Sequence, residues 1–430
     1  MEKFDYKSAV DFIIGRPSSK GVHTLEKIRK LLDIFDNPQD KIKIIHVAGT
    51  NGKGSTSKIL TQAFSTRNRV GVFTSPYISR INEAIVIDGK EISDKDFADL
   101  VSRIKSPVES LDNEGLYLTY FEVLTAIMYI YFYEQNVDIA IIETGLGGLL
   151  DSTNIVKKPL ASVITTISID HTNILGNSIE EIAYQKAGII KEGVPVFIYP
   201  QTKEVMDVLV NSARKMNSKV YTFNKEEISI KQSDERANIF TFRTFKDVHI
   251  KLLGVHQIYN ASLALMVLEH FKEEFDLDEA SIKKALAKAD NIGRLTEISK
   301  EPRVIDDGSH NKESIDALKE ALKTFTYNRL IIGFSVLKDK DYAYIIDSLN
   351  ELADELVVTS MDNPRAFSLE ELKEIVGKKR KDFIAFRDNI KAYEYSKNLY
   401  KKGDLIVWCG SLYLLSDLIN FENQKKTRIY

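Results

Sequence analysis

The sequence predicts an α/β protein built as two domains, a large N-terminal one around a parallel sheet and a smaller C-terminal one of the same class. Three observations carry that expectation. Short β-branched runs alternate with helical segments from about residue 43; the alternation breaks after residue 200 and restarts at 303; and a glycine-rich turn follows the first run. At 430 residues the chain is also too long for one ordinary core.

Taken in order, the runs at 43–49 (KIIHVAG), 70–75 (VGVFTS), 138–144 (DIAIIET), 161–168 (ASVITTIS) and 194–200 (VPVFIYP) are expected as buried strands, most of them separated by segments of helical spacing. Strand, helix, strand in repetition gives a parallel sheet covered on both faces. Residues 220–253 differ: YTFN, IFTFRTF and HIKLLG lie close together with polar turns between, an antiparallel patch expected at the edge of that sheet. A helix from Gln257 to about Phe271 comes next, then a shorter one near 278–289. The second set of strands is RVIDDG (303–308), RLIIGFS (329–335), ELVVTS (355–360), FIAFRD (383–388) and DLIVWCG (404–410). Between the two sets, DNIGRLTEISKEP (290–302) is a polar stretch punctuated by Gly293 and Pro302. The expected domains are therefore 1–296 and 297–430, with a hinge near 295.

Composition excludes several classes of function. Apolar residues at 43% and charged ones at 28% describe a soluble globular chain. Lysine and arginine number 59 against 62 acidic residues, a net charge of −3, which argues against a dedicated nucleic-acid binder. The one cysteine, Cys409, leaves no disulfide framework and no cysteine-based zinc or iron–sulfur site. MEKFDYKSAV contains no apolar signal core, so a cytoplasmic protein is expected. Residues 116–133 (LYLTYFEVLTAIMYIYFY) approach the length of a spanning helix, but Glu122 near the middle would be costly in lipid. A buried core helix is expected there, and no membrane partner.

The most informative segment is HVAGTNGKGST, residues 46–56, placed between a buried strand and a helix as a phosphate loop requires. Glycines at 49, 52 and 54 let the backbone approach phosphate oxygens and turn its amides toward them. Lys53 adds a point charge for the β- and γ-phosphates, and the helix N-terminus adds its positive end. Ser55 or Thr56 offers a hydroxyl to Mg²⁺. The spacing departs from the common loop, because a glycine stands between the lysine and the hydroxyl residues.

In this setting GTNGKGST resembles the ATP loop of the Mur ligase superfamily, specifically of folylpolyglutamate and dihydrofolate synthases. The resemblance spans nearly the whole chain. TSP (74–76), FEVLTA (121–126), ETGLGG with DSTN (143–154), DH with LG (170–176) and KAGIIK (186–191) come in order, then GVHQIYNA (254–261), GR (293–294), DGSHN (307–311), DKD (339–341) and GSLYL (410–414). It implies a P-loop ATPase domain followed by a Rossmann-like α/β domain. The implied activity is an ATP-dependent ligase that joins L-glutamate to a folate or dihydropteroate carboxylate through an acyl phosphate. A Mur-type ligase acting on another carboxylate, or an ATP-binding regulator without turnover, are the alternatives.

Position supports a site independently. Ser75 ends one expected strand, Glu143 ends another, and His171 lies a few residues past a third. In an open parallel sheet ligands bind outside the carboxyl ends of the strands, so these side chains gather beside the phosphate loop. Hydroxyl, carboxylate and imidazole, with phosphate oxygens and water, suit Mg²⁺ or Mn²⁺, and the resemblance implies that Ser75, Glu143 and His171 bind the metal. It further implies a carbamylated Lys186, with Lys53, Glu143, His171 and Lys186 as the catalytic set. The implied ATP contacts are Asn51, Gly52, Lys53, Gly54, Ser55, Thr56, Asn260, Arg294 and Asp307, the second domain closing over the nucleotide. Lys20, Gly21, Phe121, Glu122, Thr125, Leu149 and Asp151 are implied on the substrate side, and His310 near the incoming glutamate. Small molecules are the implied partners of a monomer. The departures fall on the substrate side: Leu149 and Thr24 stand where arginines are common, and YISRINEA places Tyr77, Ile81 and Ala84 where the family often has HLxxFxER. His23 and Arg80 are the candidate replacements for the missing cations.

Overall fold

A computed structural model describes residues 3–17 and 24–428. The chain divides into two compact units, Met1–Glu227 with Tyr259–Lys288, and Ile228–Ile258 with Ala289–Tyr430.

The first unit is built on an eight-stranded sheet. Its strands are β1 (Ile44–Ala48), β2 (Val70–Phe73), β3 (Ile85–Ile87), β4 (Lys90–Glu91), β5 (Ile139–Glu143), β6 (Ala161–Ile164), β7 (Val196–Ile198) and β8 (Val220–Tyr221). The order is β4-β3-β2-β5-β1-β6-β7-β8, parallel from β2 to β8, with β3 and β4 antiparallel at one edge. Every residue of β1, β2, β5 and β6 is buried. That is why these strands read as continuous apolar runs and not as alternation. The chain leaves β1 for strands on one side of it and returns through β6 on the other, so the winding reverses at β1. Ligand crevices open outside the carboxyl ends of the strands at such a reversal.

Helix Tyr120–Glu134 fills one core of this unit with Val123, Leu124, Ile127, Met128 and Phe132, beside Ile44, Phe73 and Ile142 of the sheet. The 15-residue helix begins at a capping box, Thr119 with Glu122, and no helix among the described residues is long and apolar enough to cross a membrane. A second cluster joins Ala48, Ile164, Val196 and Ile198 to helices Ile179–Ala187 and Lys203–Lys215.

The antiparallel segment forms a sheet of its own. Strands β9 (Ile228–Ser233), β10 (Asn238–Phe242) and β11 (Phe245–Ile250) are ordered β11-β10-β9 and belong to the second unit, not to the edge of the large sheet. The Asn238 amide ties the meander to the stretch just after β11 by donating to Leu252 O (2.6 Å) and Gly254 O (3.1 Å).

The remaining sheet runs β12-β13-β17-β14-β15-β16, from β12 (Arg294–Lys300), β13 (Arg303–Asp307), β14 (Leu330–Phe334), β15 (Glu355–Thr359), β16 (Ile384–Phe386) and β17 (Leu405–Cys409). The five strands from β13 onward are parallel, and β12 is antiparallel to β13. The stretch expected as a polar joint is therefore a strand. Its hairpin with β13 carries Leu295 and Ile298 into the core, and the division between units falls at Lys288/Ala289 instead of 296/297.

Candidate active site

The loop after β1 leads into helix Lys53–Phe64. Two of its glycines are required by close approach. A Cβ on Gly49 would lie 1.8 Å from Thr165 Oγ1, and one on Gly52, at φ +85°, 2.5 Å from Asn260 Oδ1. Asn260 thus reaches the loop from helix Val255–Phe271. The segment after β6 clamps the other side: Thr50 N donates to Thr166 O (2.6 Å), Ser168 N to Thr50 Oγ1 (3.1 Å), and Thr165 Oγ1 to Asn51 O (2.7 Å). Ser55 and Thr56, in the helix's first turn, are both buried.

Three of the expected catalytic side chains meet at this loop. Lys53 Nζ donates to Gly49 O and Thr50 O, both at 3.2 Å, and lies 3.7 Å from Glu143 Oε1. Glu143, the last residue of β5, is buried. Lys186, buried near the end of helix Ile179–Ala187, donates to the same Gly49 carbonyl at 2.8 Å. Burial first and the Lys53 charge second push its ammonium down to about 7. Ser75 lies two residues past β2 and is half-buried. His171 caps the short helix Thr172–Leu175 in a left-handed conformation (φ 51°), its Nε2 3.9 Å from Asp170 Oδ1. Since β2, β5, β1 and β6 are neighbours, Ser75, Glu143, the phosphate loop and His171 share one edge of the sheet.

Among the described residues no three His, Cys, Asp or Glu side chains gather into a metal site. The expected set holds only two of these types plus a hydroxyl, leaving the other positions to phosphate oxygens and water. Hard oxygen donors with one imidazole suit Mg²⁺ or Mn²⁺.

On the substrate side the structure spreads the expected residues. Phe121 packs its ring on Gly145, where a Cβ would lie 2.6 Å away, and so touches the loop after Glu143. Glu122 is turned back on its own helix: its carboxylate accepts from Thr119 N (2.7 Å) and Thr119 Oγ1 (2.8 Å) and lies 3.5 Å from Lys27 Nζ. Thr125 is wholly buried. Leu149 is held by its amide on Gln185 O (2.7 Å) and by the close approach of Gly188. Asp151 is buried, with Oδ2 accepting from Leu146 N (2.8 Å) and Oδ1 from Thr153 N (3.0 Å) and the Thr153 hydroxyl. Lys20, Gly21 and His23 lie outside the described residues. Arg80 pairs with Asp94 and stacks on the Tyr6 ring (5.2 Å), while Ile81 and Ala84 are core positions and Thr24 is exposed.

In the second unit Arg294 stands opposite Asp307 across the β12–β13 hairpin. Asp307 accepts from Leu295 N and Ser309 N, both at 3.0 Å. Burial raises its carboxyl, and the Arg294 charge opposes that rise. His310 Nδ1 is 2.7 Å from Gly308 O. Sequence spacing does not single out His256, half-buried beside Gly254 and pushed down to about 4 by burial and then by the Arg294 charge. Nor does it single out His46 in β1, for which a histidine inside an unbroken β-branched run is the available signal.

A phosphate loop crowded by two lysines and a carboxylate, with a separate α/β unit after it, is the plan of an ATP-dependent ligase of the Mur type. Sequence matches agree: the Mur ligase middle domain matches residues 47–268 and the Mur ligase glutamate ligase domain residues 293–412. The chain belongs to the Mur ligase family, in its folylpolyglutamate and dihydrofolate synthase branch. It is 36% identical over 430 residues to a dihydrofolate synthase/folylpolyglutamate synthase of Bacillus subtilis, covering 96% of this chain and 98% of that one. A folylpolyglutamate synthase of Lacticaseibacillus casei is 33% identical over 80% of this chain and 83% of its own. The Mycobacterium tuberculosis folylpolyglutamate synthase solved with ADP and AMPPCP superposes with a TM-score of 0.88 at 29% identity, covering 97% of this chain and 98% of that one. An FPGS–AMPPCP–folate complex gives 0.84 at 29% identity, with 96% and 98% covered.

Proposed function

We propose that this ligase adds L-glutamate to the carboxylate of a folate, and of dihydropteroate, by way of an acyl phosphate. The observation that carries the reading is the meeting of Lys53, Glu143 and Lys186 at the Gly49 turn. The substrate carboxylate attacks the γ-phosphorus of ATP, the bond to the bridging oxygen breaks, and ADP leaves. The glutamate amine then attacks the acyl carbon, loses a proton, and phosphate departs as the amide forms. Lys53 and the loop amides of residues 51–56 oppose the charge on the transferred phosphoryl group, the dominant contribution in such chemistry. Held by Ser75, Glu143 and His171, Mg²⁺ or Mn²⁺ would neutralise phosphate oxygens and orient them.

Lys186 fits carbamylation, since an amine lowered to about 7 offers a neutral fraction that captures CO₂. Asn260 in the first unit, and Arg294, Asp307 and His310 in the second, are assigned to ATP and the incoming glutamate on the resemblance alone. Phe121 and Leu149 are assigned to the folate. The protein acts as a cytoplasmic monomer on small molecules, and its near-balanced charge supports small molecules over nucleic acid as its partners.

The test is ADP release by purified protein with ATP, Mg²⁺ and L-glutamate, with tetrahydrofolate or dihydropteroate added separately and product masses read in the same tubes. A gain of one glutamyl unit on tetrahydrofolate establishes the synthase, and on dihydropteroate the second activity. Extension of neither by folded protein overturns the folate assignment.

A further inference from the structure

His46 lies at the centre of β1, three residues before Gly49, and is fully buried. Burial first and the Lys191 charge second push its imidazole down to about 3, so the ring is neutral at working pH. Its Nε2 is 2.8 Å from Thr153 Oγ1. The Thr153 hydroxyl donates to Asp151 Oδ1, so its oxygen is left to accept, and the ring carries its proton on Nε2. Thr153 N donates to Asp151 Oδ1 as well (3.0 Å), and Thr153 O accepts from Tyr129 Oη (2.7 Å). The other Asp151 oxygen accepts from Leu146 N (2.8 Å), three residues past Glu143. One threonine therefore touches the strand that delivers the phosphate loop, the loop that leaves Glu143, and the helix whose first turn bears Phe121.

We propose that Thr153 is the positioning hub of this site: the β1–β5 ladder sets Glu143 opposite Val47, and Thr153 with His46 and Asp151 pins the loop that leaves Glu143 to β1, and so steadies the carboxylate relative to Lys53. The proposal rests on the ligase reading for its kinetic consequence but not for its binding consequence. The ladder ends at Thr144 N, which donates to Val47 O (2.9 Å), and an apolar core could cover the loop beyond it without fixing its position. A buried chain of hydrogen bonds, each donor matched to one acceptor, permits one arrangement and penalises the rest. None of the three side chains needs to touch substrate to act in this way.

Thr153→Val keeps the volume and removes the hydroxyl, and Thr153→Ser restores it. The expected result for Thr153→Val is a cooperatively melting protein with kcat lowered and the Mg²⁺ requirement raised, each by about 10–100-fold, as for other groups that orient a metal ligand. The folate KM should change little, and Thr153→Ser should recover most of the loss. Calorimetric titration with AMPPCP, with and without Mg²⁺, reads the same effect without turnover: the Mg²⁺-dependent gain in affinity shrinks while metal-free binding holds. Should Thr153→Val fail to fold, Asp151→Asn, which keeps an acceptor for Thr153 but cannot also accept from Leu146, is read the same way. Wild-type Mg²⁺ dependence in the folded variant, or a loss that only tracks its melting temperature, overturns the hub. Absent folate extension by the wild type would instead overturn the substrate reading, and the AMPPCP titration would still decide the hub.

Discussion

Two ammonium groups, those of Lys53 and Lys186, donate to one carbonyl oxygen, and among the described residues only Lys53 has a carboxylate within 4 Å. That asymmetry separates their tasks. Lys53 is the group that faces phosphate, and Lys53→Ala should lower kcat by about 10²–10³-fold, the usual cost of one oriented donor at a transferring group. Stopped-flow or steady-state ADP release checks this, and a loss below about tenfold would place Lys53 outside the transition state. Lys186 is the group that burial has made easy to discharge. Activity should fall when CO₂ is stripped from the buffer and return with bicarbonate, whereas Lys186→Ala should be low and indifferent to both. An intact-mass shift of one CO₂ on the wild type under non-acidic conditions is the companion measurement. Lys53 is readable in the sequence because a glycine-rich loop between strand and helix places it, whereas Lys186 is readable only through the resemblance of its KAG segment to the family's. Glu122 and Asp151 are not, because spacing does not say whether a carboxylate points outward or folds back on its own backbone. Thr119-x-x-Glu122 ahead of an apolar run does carry the capping-box pattern, and that pattern is the signal for the inward turn of Glu122.

Helix Tyr120–Glu134 shows what the fold does with that carboxylate. Glu122 satisfies the N-terminal amide of Thr119 and partners a buried lysine, Lys27. Glu122→Ala should therefore cost about 3 kcal/mol, from a lost cap and a buried ammonium that keeps Tyr117 O (3.2 Å) but loses its carboxylate. A urea titration measures it. The folate KM of the folded variant should stay within about twofold, a change under 0.5 kcal/mol; a larger rise in KM with unchanged stability would return Glu122 to the substrate. The phosphate turn offers a matched test. Gly52→Ala adds a Cβ at φ +85° and 2.5 Å from the Asn260 amide, whereas at Gly89, φ +75°, a Cβ meets nothing within 4 Å. Both pay the left-handed strain of about 1 kcal/mol, but only Gly52→Ala should weaken AMPPCP binding, by about tenfold or more. Equal affinities would mean that the turn yields without displacing Asn260. The parallel strands are legible because full burial writes itself as an apolar run. Strand β12 is not, since its outward positions are polar and a hairpin strand with one wet face resembles a linker.

Each unit carries shifted titrating groups, and within the second unit their signs differ. In the first unit the folded imidazole of His46 sits at about 3, below its ordinary 6.5. Native protein then binds fewer protons than unfolded protein between those values, so this contribution is present above 6.5 and is lost as pH falls. In the second unit His256, at about 4, acts in the same direction. Asp306 acts in the opposite one: burial first and the Asp307 charge second raise it from 3.8 to about 7. There native protein holds the extra proton, so stability is full below 3.8, falls as pH rises toward 7, and is level beyond. Asp306→Asn removes the ionisation while keeping the shape. Relative to wild type it should gain stability steadily from pH 4 to 7 and hold that gain at pH 8, with no corresponding gain at pH 4. Differential scanning calorimetry across that range checks it. A pH-independent difference between the two proteins would mean that Asp306 ionises in the native state as easily as in the unfolded one, and that a group at the base of the DGSHN turn is solvated despite its burial.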